Sequence, residues 1–188
     1  QDYPAHLIEV IVVDDHSEDQ TPNIVRNFQN ERVRLISLNE YLLTQKISTA
    51  YKKKAIEAGV QSAKGELIMT TDGDCRVSNK WVSSMVNIWS ASGAKLLTGA
   101  VVMTKTDTIF KKFQSLDFLG MMGITAAMLK LRIYNMANGA NLLYEKSAFE
   151  SVDGFKGIDH LASGDDMLLM YKIAQKYNGA VAYAKHPD

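Results

Sequence analysis

The sequence predicts an α/β fold, a sheet whose strands are joined by crossover helices, and three observations predict it. Short apolar runs rich in branched residues alternate with segments of helical period. Each segment has an ordinary length for its type, as such a sheet requires. Finally, 46% of the 188 residues are hydrophobic, and a chain of this size buries roughly 70% of the surface its unfolded form exposes. Such a core needs no disulfide staples, which agrees with the single cysteine, Cys75, and points to a reducing compartment. No linker, repeat or low-complexity tract interrupts the alternation, so one domain is expected over residues 1–188.

The elements follow in order. Residues 7–13 form an apolar, branched run that reads as a buried strand ending at Asp14 and Asp15. Residues 17–21 turn the chain, and Pro22 sits well in the first turn of a helix carrying Ile24, Val25 and Phe28 at helical spacing. Residues 33–38 are the next strand, and residues 49–63 a helix with Ile56, Val60 and Ala63 on one stripe, closed by Lys64-Gly65. The chain returns as a strand over 66–71 that stops at Asp72-Gly73-Asp74. Asn79 is placed to cap a helix through Ser92, which Gly93 ends before a strand over 95–104. A long Met-rich helix spans 108–131; a short strand at 141–144, a short helix at 145–151, a helix at 165–177 and a strand at 180–184 complete the pattern.

Charge excludes some function classes. The chain has 21 Lys plus Arg against 21 Asp plus Glu, and this balance argues against a dedicated nucleic-acid binder, which rests on a basic surface. The N-terminus does not read as a signal peptide. In the Met-rich helix the uncharged stretch, residues 118–129, is 12 residues long, short of the roughly 20 that span a bilayer. Core packing is its expected role. An interfacial role would instead set Phe110, Phe113, Phe118, Leu119, Met121 and Met122 against lipid or a lipid-linked acceptor, with Lys111 and Lys112 near anionic headgroups.

Acidic residues gather where α/β sheets bind ligands, beyond the carboxyl ends of strands. One strand ends in Val12-Val13-Asp14-Asp15-His16-Ser17 and another in Thr70-Thr71-Asp72-Gly73-Asp74. Closely spaced carboxylates in a turn with a flexible Gly73 suit a hard divalent cation, Mg²⁺ or Mn²⁺, shared with a substrate phosphate. Turns also favour Asp and Gly for backbone reasons alone. A third pair, Asp165-Asp166 after Gly164, opens an apolar helix. Asp165 could cap that helix, but capping needs only one of them. The helix dipole favours negative charge at Asp166, which suits a carboxylate that takes a proton from an attacking hydroxyl. Lys52-Lys53-Lys54 lies near a helix start, where cations oppose the dipole unless an anion is near. A solvated face is expected for at least two of the three, with at most one reaching a ligand.

These motifs carry a resemblance. Val12 to Ser17, Ala63-Lys64-Gly65-Glu66, Thr71 to Asp74, Asn138-Gly139-Ala140-Asn141 and Gly164-Asp165-Asp166, in this order and spacing, resemble the inverting family 2 glycosyltransferases of the GT-A fold. The resemblance implies a Rossmann-like, mixed but mainly parallel sheet between helices, in three α/β/α layers. It implies transfer of a sugar from a nucleoside diphosphate sugar, UDP favoured, to a hydroxyl of a saccharide or lipid. Asp15 would hold the uracil or ribose with Asp14 beside it, and Lys52 or Lys53 would lie near the base. Asp72 would contact the ribose or the metal-bound diphosphate, and Asp74 would ligate the cation. Asp166 would be the general base, and Asp165 stands where the family often has Glu. Asn138, Gly139 and Asn141 would line the donor sugar or the acceptor approach.

The resemblance also implies an excerpt. The family usually places a strand and helix before the segment matching Gln1 to Pro4, and continues beyond His186-Pro187-Asp188, where processive members carry their Gln-x-x-Arg-Trp signature. The expected setting is cytoplasmic, at the membrane's cytoplasmic face, with possible membrane-surface contact and no nucleic acid. Two other readings compete. Phosphohydrolases of the haloacid dehalogenase type also place aspartates after a strand, but want Asp-x-Asp-Gly-Thr or Ser, whereas Gly73 lies between the aspartates and Cys75-Arg76 follows. A non-catalytic nucleotide-sugar-binding domain would keep the fold, yet it would have little reason to retain all three acidic clusters.

Overall fold

The computed structural model describes residues 1–28, 30, 32–43, 50–134, 136–158, 161 and 163–185. Among these residues β1 (Val10–Asp14), α1 (Thr21–Asn27), β2 (Val33–Ser37), α2 (Leu38–Leu42), α3 (Tyr51–Ser62), β3 (Leu67–Thr70) and α4 (Trp81–Ser92) form the first half. Then come β4 (Leu96–Gly99), α5 (Ile109–Lys130), β5 (Leu142–Glu145), α6 (Lys146–Ser151), α7 (Asp165–Lys176) and β6 (Val181–Ala184). Strands β1 and β2 pair in parallel, with Asp14 opposite Ser37 at their carboxyl ends. A second sheet has the order β3-β5-β4-β6. There β5 runs against β3 and β4, while β4 and β6 are parallel, so β5 is the one reversed strand of the four.

Strand periodicity builds the layers. Successive side chains point to opposite faces. One face carries Ile68, Leu96, Leu142, Tyr144, Val181 and Tyr183, which pack with Val60 of α3, Leu129 of α5, Phe149 of α6 and Leu169, Met170 and Ile173 of α7. The other face carries Leu67, Met69, Leu97, Leu143, Ala182 and Ala184 against Met85, Trp81 and Ile88 of α4. The result is helix, sheet, helix. The β1–β2 sheet joins this body through a strap. Glu9 accepts from the backbone N–H groups of Lys64 (2.5 Å) and Gly65 (3.0 Å) and pairs with Arg34 at 2.8 Å. Burial works to raise the Glu9 pKa, but these donors outweigh it and hold the carboxyl below its ordinary value.

Several boundaries differ from the sequence reading, each for a local reason. The first strand starts at Val10, not Leu7, because Ala5–Leu7 close a 3-10 turn in which Leu7 N–H bonds Pro4 C=O at 2.9 Å. Leu38 ends no strand; it starts α2 and is fully buried. The strand expected to reach Thr104 stops at Gly99, one residue past its last β5 pair at Thr98, and Asn141 bonds the Ala100 carbonyl at 2.8 Å. Asn79 does not cap α4: the cap is Lys80, and Asn79 C=O accepts from Asp2. Gly93 does end α4, in the left-handed region at φ 65°. Of the α1 stripe, Ile24 and Phe28 are exposed and Val25 is half-buried. Thr49 and residues 186–188, named in the sequence reading, lie outside the described residues.

The Met-rich helix gives the largest departure. Thr108 caps α5 by accepting from Lys111 N–H at 3.2 Å. Core packing was expected, and Met122, Thr125 and Leu129 are buried as it requires. Phe118 is half-buried, but Phe110, Phe113, Leu119 and Met121 are exposed. One face of the helix meets the core and the rest of its apolar surface does not.

Candidate functional site

The site forms where the carboxyl end of β3, the 3-10 turn Gly139–Asn141 and the first turn of α7 converge, with α3 supplying a cation. Lys52 Nζ lies 3.4 Å from Asp72 Oδ1 and 3.9 Å from Asp165 Oδ2. Two acidic motifs 93 positions apart thus share one ammonium. Burial alone would lower the Lys52 pKa, but the carboxylates of Asp165, then Asp72 and Asp166, overcome it and raise the value. Asp166 is fixed from two sides. Its Oδ2 accepts from Gly139 N–H at 2.9 Å and its Oδ1 from Met167 N–H at 2.7 Å. Gly139 is itself held, because its carbonyl accepts from the Thr70 hydroxyl at 2.6 Å.

Helix α7 opens differently from the sequence reading. Its cap is Gly164, at φ 77° in the left-handed region, and Asp165 is the first helical residue, buried, not the cap. Asp165 also works against ionisation of the buried Tyr144, whose pKa is raised first by burial and then by that carboxylate.

The lysine run is not a solvated face. Lys52 is half-exposed at the site. Lys53 is 1% exposed and donates to the carbonyls of Leu161 (2.6 Å) and Ser163 (3.1 Å), strapping down the segment that leads into α7. Lys54 pairs with Glu57 at 2.7 Å, both largely buried. Of the two lysines assigned near a nucleotide, Lys52 therefore has a charge turned to the carboxylates, and Lys53 holds backbone. A signal for this existed: Lys53 precedes Ile56 and Val60 at helical spacing, on the stripe that enters the core.

The asparagine motif is likewise engaged. Asn138 Oδ1 accepts from Ala140 N–H at 3.0 Å and its own N–H bonds the Thr98 hydroxyl at 3.2 Å. Asn141 donates to Ala100 and accepts from the Trp81 indole at 2.9 Å. Gly139 is the member that faces Asp166 and Lys52. The hydroxyls of Thr70 and Thr98 and the Trp81 indole were not singled out from sequence; threonine in a strand reads first as a β-former.

At the end of β1, Asp14 Oδ1 is buried without a hydrogen-bond partner. Asp15 pairs with His16 at 2.6 Å, and the His16 ring meets Tyr51 of α3 edge-on at 6.0 Å. His16 takes a positive φ of 60°. Asp74 is exposed and accepts weakly from Cys75 Sγ at 3.8 Å. Burial, then Asp74, pushes the Cys75 thiol up.

The donor set fits one kind of metal site. Among the described residues no three His, Cys, Asp or Glu side chains gather into a cage. A Mg²⁺ or Mn²⁺ that keeps waters and takes one or two carboxylates plus substrate phosphate oxygens needs no such cage. The exposed Asp72 and Asp74 suit it. Two hollows, of about 270 and about 550 Å³, lie elsewhere and are lined by no acidic residue.

Comparisons with known proteins bear on the family and the fold. A family model described as Glycosyl transferase family 2 matches residues 1–153. Glycosyltransferase AglE of Haloferax volcanii is 28% identical over 169 residues, 89% of this chain and 51% of that protein. The dolichyl-phosphate beta-glucosyltransferase of Homo sapiens is 36% identical over 75 residues, 38% of this chain and 21% of that protein. The crystal structure of S. aureus TarS 1-349 in complex with UDP-GlcNAc matches with a TM-score of 0.60 at 19% identity, over 99% of this chain and 50% of that one. Glucosyl-3-phosphoglycerate synthase from Mycobacterium tuberculosis, in complex with UDP, matches with a TM-score of 0.61 at 15% identity, over 95% and 60%. At such identities the structures show the fold, the mixed α/β arrangement of GT-A glycosyltransferases. The chain spans about half the length of AglE. With a family model that takes in its residues from the first to 153, the chain belongs to glycosyl transferase family 2.

Proposed function

We propose that this chain carries the chemistry of an inverting, metal-dependent transferase. It moves a sugar from a nucleoside diphosphate sugar, with UDP favoured, to a hydroxyl of a saccharide or lipid acceptor. One observation carries the reading: the Lys52 ammonium lies between Asp72 at a strand end and Asp165 at a helix start, with Asp166 held beside them by Gly139. The complexes of TarS with UDP-GlcNAc and of the synthase with UDP support the choice of nucleotide.

In this reading Asp14, Asp15 and Lys52 take the nucleoside side and Asp72 the ribose or diphosphate. Asp74, with Asp72, would hold Mg²⁺ or Mn²⁺, which when bound neutralises charge on the departing diphosphate. Asp166 is the general base. Its two oxygens accept two backbone N–H groups, and a carboxylate has lone pairs left for an acceptor O–H. It takes the hydroxyl proton as the oxygen bonds the anomeric carbon from the face opposite the diphosphate, so configuration inverts. Lys53 acts through the backbone it holds, not on the nucleotide, while Gly139, Asn138, Asn141 and Asp165 shape the wall on the acceptor side. The proposed setting is the cytoplasmic face of a membrane, which the exposed apolar length of α5 supports.

Asp166→Asn tests the base. It should cut turnover by about 10²–10⁴-fold while Mn²⁺-dependent UDP binding, read by thermal shift, persists. Unchanged turnover overturns the assignment. Asp74→Asn should instead weaken UDP binding and its metal dependence together.

A further inference from the structure

Helix α5 carries on its outer side what a surface helix normally buries. Met122, Thr125 and Leu129, at i, i+3 and i+7, form its buried face. The opposite side carries Ile109, Phe113, Leu116, Gly120 and Ile124 at i, i+4, i+7, i+11 and i+15, all exposed; Phe113 is 68% and Leu116 69% accessible. A globular protein places polar residues there. Over 22 residues at about 1.5 Å each, the stripe runs along a helix of about 33 Å. Phe110, Leu119 and Leu131 widen it, and Val102, Met103 and Ile133 are exposed in the flanking segments. Scattered exposed apolar residues need no explanation, but a stripe of neighbours one helical turn apart does.

Charge identifies what covers it. Positions 102–133 hold five cations, Lys105, Lys111, Lys112, Lys130 and Arg132, against Asp107 and Asp117, in a chain whose 21 cations balance 21 anions. The cations stand at the two ends of the helix, with the apolar stripe between. Lys112 and Lys130 are 18 residues apart, about five full turns, and so share one flank of that stripe. No helix among the described residues is long and apolar enough to cross a membrane. Apolar side chains between clustered cations match a helix lying along a bilayer surface, with its apolar side in the acyl boundary and its cations among lipid phosphates. A second copy would satisfy the apolar stripe and set the same cation surplus against itself.

We propose that α5 docks this protein on an anionic lipid surface through Ile109, Phe113, Leu116 and Ile124, with Lys112 and Lys130 at the headgroups. The inference rests on the membrane part of the reading above and not on its chemistry. Vesicle binding needs neither donor nor metal, so either can fail alone. The test is flotation of the purified protein with vesicles of phosphatidylcholine alone and of equal parts phosphatidylcholine and phosphatidylglycerol. The protein should float with the mixed vesicles and stay behind with the neutral ones. Phe113→Ser with Leu116→Ser should lower the partition coefficient by about tenfold or more, and Lys112→Glu with Lys130→Glu by a similar factor on the anionic vesicles. Both pairs are exposed, so melting temperatures should hold, and they are checked by circular dichroism. Absence of flotation, equal binding to both vesicle types, or a Phe113/Leu116 variant that floats like the wild type overturns the proposal. So does a dimer in sedimentation that this variant abolishes without any vesicle binding, which assigns the stripe to a second copy.

Discussion

Lys53→Met isolates the strap that holds the approach to α7. The ammonium is 1% exposed and donates to two carbonyls, of Leu161 and Ser163, at 2.6 and 3.1 Å. Each such charge-assisted bond is worth about 1.5–3 kcal/mol, and its loss leaves an acceptor unsatisfied. Methionine keeps the volume and the apolar stem, and the desolvation cost of the ammonium is recovered. The net loss is about 3 kcal/mol, which for a protein of this size lowers Tm by about 6–12 °C. Urea unfolding should show the midpoint fall with an unchanged slope, since the folded and unfolded surfaces stay the same. UDP binding measured well below Tm should weaken no more than a shifted loop requires. A loss below about 0.5 kcal/mol would refute the strap. Unchanged stability with sharply weaker UDP binding would return Lys53 to the nucleotide.

Three further outcomes follow from the same geometry. Lys52→Gln should cost about 1 kcal/mol, because Lys52 and Asp72 are half-exposed and the buried Asp165 lies farther off, at 3.9 Å. The raised Lys52 pKa means its contribution is full below the ordinary 10.5 and lost as pH climbs through the folded value. The Tm gap should therefore stay level through neutral pH and close only above 10.5; closure near neutrality refutes the ion pairing. Cys75 reports on Asp74: its thiol is held up by burial and then by that carboxylate, so a divalent cation on Asp74 should lower the pH midpoint of iodoacetamide alkylation. A midpoint that ignores Mn²⁺ with UDP argues against Asp74 as a ligand. Gly99→Ala puts a Cβ 2.4 Å from Asn141 Nδ2, displacing a side chain bonded to Ala100 and Trp81, and should cost about 1–3 kcal/mol in denaturant titration. Wild-type stability there would show that Asn141 moves freely.

The candidate site was legible to different depths. Asp72-Gly73-Asp74 and Asp165-Asp166 stand out because acidic residues after a branched strand or at a helix start break the surrounding apolar pattern. Their meeting at Lys52 was not legible, since the positions are far apart in sequence and no local propensity reports contact across a sheet. The lysine run shows the same limit at shorter range. Adjacent residues on a helix point about 100° apart, so Lys52 reaches the carboxylates while Lys53 enters the core. The stripe of Ile56 and Val60 holds that distinction, while the charge run by itself reads as a surface feature. Asn138 and Asn141, expected to line a substrate path, also fix a turn, because the unpaired backbone beyond Gly99 and the Trp81 indole needed partners.

By itself the sequence determined the alternation of strand and helix, the stops at acidic turns, the end of α4 at Gly93 and the start of α5 close to Thr108. These depend on interactions within a few residues, which the local order of side chains sets. Tertiary structure alone decided that α5 leaves an apolar stripe uncovered. A helix apolar on most sides carries no mark of which side will meet the core. It also decided what the balanced charges do: Glu9 ties two sheets, Lys53 holds a loop and Lys52 joins two acidic motifs. Coulomb and hydrogen-bond energies depend on distance in space, and the fold sets those distances.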